Sequence, residues 1–123
     1  MIVGLGIDLV EIARMRRLVE SEAFLRKVFT EKERAYCAAR AESASSFAVR
    51  YAAKEAVAKA LGTGIGVHCA LLDVEVAIGE RGEPVLLLSG NARRTADQKG
   101  IARWHASMTH DGGIAMASVI AEG

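Results

Sequence analysis

Cysteine is nearly absent: Cys37 and Cys69 are the only two in 123 residues. Two are too few for a disulfide scaffold. With no C-x-x-C pair and no histidine spaced to complete a tetrahedral site, they do not suggest structural zinc either. A reducing, cytoplasmic compartment is the resulting expectation. There is one proline and no low-complexity linker, so a single domain over residues 1–123 is expected. Net charge is also lacking, since 16 Lys plus Arg against 15 Asp plus Glu leave +1. That balance excludes bulk electrostatic capture of nucleic acid or a membrane surface as the main activity. No apolar run reaches the length of a membrane span, and the apolar start, Met1 to Val10, is interrupted by Gly4, Gly6 and Asp8 without a basic region before it. Aromatic residues make up only 5%, while alanine supplies 22 residues of a 51% apolar total. The apolar fraction therefore overstates the area one chain can bury, and subunit association is expected to add stability.

What is present falls into readable periods. From Ile2 to Val10 the chain alternates, with Val3, Leu5, Ile7 and Leu9 on one side and Gly4, Gly6 and Asp8 on the other. The two glycines leave their face bare, so a ligand or a second backbone can approach, and Asp8 sits beside the opening. Glu11 to about Glu20 suits a short helix carrying Arg14, Arg16 and Arg17. That basic cluster is able to dock an acidic partner, although a solvated helix face is the ordinary reading. Phe24, Val28 and Phe29 read as an apolar turn, and Thr30-Glu31-Lys32-Glu33 as a capping box opening a helix to about Ala41. Ser43 to Ser46 reads as a small-residue break before a helix from Phe47 to Leu61, stopped by Gly62 as a left-handed cap.

Beyond it the pattern predicts strands over 72–78 and 85–88 as a hairpin, a helix from about Asn91 to Lys99, and strands over 104–109 and 114–120 around His110-Asp111-Gly112-Gly113. The order β-α-α-α-β-β-α-β-β, with hairpins in place of crossovers, predicts an α+β fold on a mostly antiparallel sheet packed with a long buried helix.

The helix over 47–61 is apolar on two faces, so Arg50, Lys54, Glu55 and Lys59 have no solvated stripe to occupy. Such charges must be paired, liganded or pointed into a cleft. Asp8 and Glu55 are the carboxylates hardest to explain as surface. Two hard oxygen ligands, with water and phosphate filling the other octahedral positions, are a common way to hold Mg²⁺. The competing reading has Asp8 capping a helix and Glu55 pairing with Lys59 four residues on. Gly62-Thr63-Gly64-Ile65-Gly66 offers backbone donors toward an anion, with Lys59 just before it. It lacks the GxxxxGK[ST] pattern, and a glycine-rich helix stop into a strand is the commoner explanation. His110 precedes a glycine-rich turn and suits either a general base or phosphate donor, or a turn histidine bonded to its own loop. A triad of Ser107, His110 and Asp111 fails, because near neighbours on one strand cannot converge.

Taken in order, Gly4-Leu5-Gly6-Ile7-Asp8-Leu9-Val10-Glu11-Ile12, Arg50-Tyr51-Ala52-Ala53-Lys54-Glu55-Ala56 with Lys59-Ala60 and Gly62 to Gly66, and Ser107-Met108-Thr109-His110-Asp111 resemble the holo-acyl-carrier-protein synthase family, the short phosphopantetheinyl transferases. Gly82-Glu83-Pro84, with Ser89-Gly90 after it, is similar to a further landmark of that family. The resemblance spans Ile2 to Ile120. It implies the 4′-phosphopantetheinyl transferase fold and Mg-dependent transfer of the 4′-phosphopantetheine arm of coenzyme A to a serine of apo acyl carrier protein, in lipid and fatty acid biosynthesis, releasing adenosine 3′,5′-bisphosphate. It places the metal on Asp8 and Glu55, the diphosphate on Lys59 and the Gly62, Gly64 and Gly66 backbone, a terminal phosphate on Arg50, and Pro84 and His110 near the site. Whether His110, Glu55 or a water on the metal takes the serine proton stays open.

The same likeness turns Arg14 and Arg17 toward the acidic carrier protein, and it implies a homotrimer with coenzyme A in clefts between subunits. Two alternatives stand beside it: a non-catalytic coenzyme A or nucleotide-binding module, and a structural oligomer whose buried charges set subunit register.

Overall fold

Gly4 and Gly6 decide how the two largest elements meet. Both lie on strand β1 (Ile2–Glu11), on the face that packs against helix α4 (Ser43–Leu61). A Cβ at Gly4 would stand 2.0 Å from the Ala60 carbonyl oxygen, and one at Gly6 would stand 1.8 Å from that of Ala56. The bare face thus receives a second backbone, and alanine on the helix answers glycine on the strand. Backbone-to-backbone approach of this kind lays α4 flat along β1.

The computed structural model describes all residues, 1–123. After β1 come α1 (Ile12–Leu18), α2 (Glu22–Val28), α3 (Glu31–Ala38) and α4, a 3₁₀ turn (Leu71–Asp73), β2 (Val74–Ile78), β3 (Pro84–Leu88), α5 (Gly90–Gln98), β4 (Arg103–Asp111) and β5 (Ile114–Glu122). The strands form an antiparallel three-stranded sheet in the order β1-β5-β4 and a separate antiparallel hairpin β2-β3. This is the α+β class with antiparallel sheets. Four helices, one more than the sequence order gave, separate β1 from β2. The apolar turn at Phe24 to Phe29 is a helix in its own right because the Ser21 hydroxyl accepts from the Phe24 N–H and caps it.

The expected break at Ser43 to Ser46 is instead the first turn of α4, since the Ser46 N–H already bonds the Glu42 carbonyl. His110 and Asp111 belong to β4, and the turn is Gly112-Gly113, both at positive φ (58° and 80°). That is the two-residue hairpin geometry glycine permits.

Most of α4 is buried, and its two halves anchor two apolar clusters. Phe29, Phe47, Met15 and Val10 pack about its first half, and Val57, Leu61, Val74 and Val119 about its second. The capping box at Thr30–Glu33 forms as read, and its Glu33 does more than cap. Glu33 and Lys54 are both fully buried and lie 2.8 Å apart as an ion pair. Glu33 also accepts from the Val76 N–H at 2.9 Å. Lys54 donates to the carbonyls of Leu71, at 3.1 Å, and Val74, with its ammonium 5.6 Å from the Phe29 ring centroid. Burial, opposed by Glu33, holds the Lys54 ammonium below its ordinary range. This pair fastens α3, α4 and β2 together from inside. No helix is long and apolar enough to cross a membrane.

Candidate active site

Because α4 lies flat on β1, residues at the border of that contact are brought together. The Lys59 ammonium donates to the Ile7 carbonyl at 2.9 Å and to Asp8 Oδ1 at 3.1 Å. Glu55, one turn earlier and half-buried, does not take up Lys59; its neighbour is the Tyr51 phenol, one further turn back. Burial raises the Tyr51 phenol first of all, Glu55 beside it and Asp8 push the same way, and Arg14 pulls against them. Asp8, Arg14, Tyr51 and Glu55 therefore share one small neighbourhood, with Lys59 at its edge. The alternative pairing of Glu55 with Lys59 is not formed, and Asp8 does not cap α1, whose N-cap is Glu11.

No group of three or more metal-ligating side chains exists anywhere in the chain. Two carboxylates on adjoining elements remain, so a bound ion would draw its other ligands from water and substrate. That donor set, all oxygen and half open, fits Mg²⁺ and not a closed structural ion.

Arg50 and His110 are placed elsewhere. Val10 and His110 both pair with Ala115 of β5, and Asp8 and Met108 both pair with Ala117, so His110 and Asp8 lie on the same sheet face but on opposite edge strands. His110 lines a cavity of about 330 Å³ with Arg50, Ser46, Tyr36, Arg40 and Gly82. Arg50 is 3% exposed. Its Nη1 donates to the Ser46 carbonyl and hydroxyl, both at 2.9 Å, and its Nε has no partner. Pro84 opens β3 opposite Ile78, at the turn end of the hairpin, and Ile78 and Gly82 border this cavity. Within one chain, then, the Asp8 neighbourhood and the cavity of His110 and Arg50 are separate places.

The glycine loop is corrected in its detail. Gly62 is the left-handed cap of α4, at φ 80°. The N–H groups of Gly62, Thr63, Gly64 and Gly66 all donate to carbonyls within the fold, those of Lys59, Ala58, Ala58 and Cys69. No cradle of free amides is presented; what the glycines supply is a turn without side chains. Arg14 and Arg17 are exposed on α1 without ion-pair partners, Arg14 leaning toward Tyr51.

Several residues of these neighbourhoods escape a reading of the sequence: Tyr51 beside Glu55, and Tyr36, Arg40 and Ser46 around Arg50. Four-residue spacing was the available signal in each case, Tyr51 to Glu55, Tyr36 to Arg40 and Ser46 to Arg50.

A sequence model of the 4′-phosphopantetheinyl transferase superfamily matches residues 4–117. A holo-[acyl-carrier-protein] synthase of Anaeromyxobacter dehalogenans (strain 2CP-1 / ATCC BAA-258) is 50% identical over 128 aligned residues, spanning 100% of this chain and 98% of that protein. The crystal structure of the holo-[acyl-carrier-protein] synthase of Neisseria meningitidis superposes with a TM-score of 0.91 at 30% identity, over 100% of both chains. That of Helicobacter pylori, in complex with coenzyme A, superposes at 0.85 with 33% identity, over 96% of this chain and 99% of the other.

Proposed function

The chain belongs to the holo-[acyl-carrier-protein] synthases of the 4′-phosphopantetheinyl transferase superfamily and is a phosphopantetheinyl transferase; on that premise we propose that it moves the 4′-phosphopantetheine arm of coenzyme A to a serine of apo acyl carrier protein, Mg²⁺-dependently, releasing adenosine 3′,5′-bisphosphate. The observation that carries this reading is the meeting of Asp8, Glu55 and Lys59 where α4 crosses β1. Asp8 and Glu55 would hold the ion. When bound, Mg²⁺ supplies charge neutralisation to the diphosphate as the bridging oxygen departs.

The serine oxygen forms a bond to the phosphorus that carries the pantetheine, and the bond from that phosphorus to the bridging oxygen breaks. The electron pair leaves with the adenosine bisphosphate. Lys59, a compact and half-exposed cation, suits the diphosphate, and the side-chain-free turn at Gly62, Gly64 and Gly66 lets it pass close to the backbone. Arg50, buried with one guanidinium nitrogen unpartnered, suits the terminal phosphate, with His110 walling the same end and Pro84 paired to Ile78 of that wall. Glu55, His110 or a water would take the serine proton. Loss of kcat in His110→Ala with coenzyme A binding retained assigns it to His110.

Arg14 and Arg17 offer unpaired positive charge beside the Asp8 neighbourhood for an acidic carrier protein. The assembly we propose is a homotrimer of this single domain, residues 1–123, in the cytoplasm. Its support is twofold. Leu5, Ile7 and Leu9 are 68%, 54% and 58% exposed on the sheet face away from α4, an apolar strip unusual for a free surface. And the Asp8 neighbourhood and the His110 and Arg50 cavity lie apart on one chain, so that joining one to the next subunit's other would complete a site through the head-to-tail contact from which rings are built.

Mass spectrometry of an apo carrier protein incubated with coenzyme A and Mg²⁺ tests the reaction. The expected result is the mass gain of one phosphopantetheine, stopped by EDTA and restored by Mg²⁺. An unchanged mass with coenzyme A still bound would instead identify a binding module.

A further inference from the structure

Glu55 stands on α4 without the partner that helix geometry offers it. A glutamate four residues before a lysine is the favoured order for an ion pair on a helix, and Lys59 occupies that place. Lys59 is instead drawn across to β1, 2.9 Å from the Ile7 carbonyl and 3.1 Å from Asp8 Oδ1. No cation lies within 4.0 Å of Glu55. What the helix sets beside it is Tyr51, one turn back on the same face.

The Tyr51 ring is fixed from outside its own helix. It stacks on Phe24 of α2, with centroids 6.3 Å apart and planes at 27°, and Phe24 meets Phe29 edge-on at 6.2 Å and 70°. Phe29 is fully buried and packs on Phe47 of α4 at 4.8 Å. This row of rings runs from the core to the Asp8 neighbourhood and restrains how Tyr51 can turn. Phenylalanine would serve that packing equally well, so the row gives no use to the hydroxyl. The hydroxyl lies at the polar end, among Glu55, Asp8 and Arg14. There a neutral O–H can bond a carboxylate without cancelling its charge, as a lysine would. We propose that Tyr51 is a positioning residue: its O–H donates to the Glu55 carboxylate, turns it back from Lys59 and holds it toward Asp8, so that the two acids can share one divalent ion. That assignment rests on reading Asp8 and Glu55 as the ligands of the ion. Carboxylate ligands depend on the partners that orient them, and losing such a partner costs about 10–100-fold in metal affinity or activity. Without the hydroxyl, Glu55 is released to the pairing with Lys59 four residues on, which neutralises both.

Titration calorimetry of Mg²⁺ into the assembled protein loaded with coenzyme A tests this, beside transfer kinetics over a range of Mg²⁺. Tyr51→Phe should weaken Mg²⁺ about tenfold and raise the Mg²⁺ needed for half-maximal transfer by the same factor. At saturating Mg²⁺ its kcat should return to within about twofold of wild type, and its affinity for coenzyme A without metal should be unchanged. Phe24→Leu, which loosens the ring and keeps the hydroxyl, should weaken Mg²⁺ by a smaller factor. Unchanged Mg²⁺ affinity in Tyr51→Phe, or a loss of kcat that excess Mg²⁺ does not restore, overturns the inference while leaving the transferase reading in place. A wild type that binds no Mg²⁺ in its coenzyme A complex overturns the metal reading, and the inference with it.

Discussion

Lys59 bonds Asp8, across from it on β1, in preference to Glu55 on its own helix. The cause is the flat seating of α4, which brings the strand's acid within 3.1 Å of the ammonium and leaves Glu55 to the Tyr51 phenol and the approach of α1. One carboxylate is thus held by a lysine and the other by a neutral hydroxyl, and both are half open to what arrives. Asp8→Ala or Glu55→Ala should lower transfer by roughly 10²–10³-fold or more with the assembly intact, checked by kinetics beside sedimentation. Full turnover in Glu55→Ala would remove it from the metal site. Cysteine gives a second expectation at this scale. Burial, with Asp73 and Glu55 adding to it, pushes the Cys69 thiol up to about 11. Between the ordinary thiol range and that value the unfolded chain has released a proton that the folded chain keeps, so stability falls as pH rises through this window. Urea midpoints measured from pH 8 to 11 should show that slope, and Cys69→Ala should flatten it; native Cys37 and Cys69 should both resist thiol reagents at neutral pH.

At the scale of elements, the period of the sequence tells which segments are strands and which are helices, and local stop signals tell where they end. The Thr30 capping box and the Gly62 cap are local chemistry, and both form as read. What the pattern hides is anything settled by a distant partner. Glu33 is legible as a cap, but nothing near it announces that its carboxylate will meet Lys54, 21 residues away, inside the protein. The small residues at Ser43 to Ser46 look like a break because helix propensity there is weak. The Ser46 hydroxyl nevertheless accepts from Arg50, and the turn joins α4. Lys54→Ala strips one partner from a fully buried pair and should cost ~3–5 kcal/mol, read as a lower urea midpoint with an unchanged m-value. Lys54→Met, which keeps the volume but also strands Glu33, should cost a similar amount. Lys54→Met combined with Glu33→Gln should regain part of it.

At the scale of the whole molecule, periodicity places Asp8 on β1 and Arg50, Glu55 and Lys59 on α4, but leaves His110 and Pro84 just outside the strands that hold them, and it does not show that β5 separates Asp8 from His110. Asp8 and His110 both face α4, but β5 lies between their strands. An edge-to-edge separation of this kind is a property of strand order, which periodicity does not encode. The free cations of α1 belong to this scale too, since charge of this kind steers an encounter before contact. Arg14→Ala should raise KM for the carrier protein several-fold with kcat little changed, and the difference from wild type should shrink as salt screens the encounter. The exposed strip of Leu5, Ile7 and Leu9 carries the assembly in the same account. Ile7→Glu should yield monomers by sedimentation, and those monomers should not transfer.

Mixing two inactive variants tests most directly whether each site is shared between neighbours. Asp8→Ala spoils one half-site and Arg50→Met the other, and each homogeneous assembly should be inactive. Co-refolded in equal amounts, subunits assort at random, and about one quarter of the interfaces in a closed ring of three regain both intact halves. Recovery of about one quarter of wild-type activity on mixing is the expected result. A mixture as inactive as its parents, with mixed assemblies shown to form, would mean that Asp8 and Arg50 serve one site within a single chain.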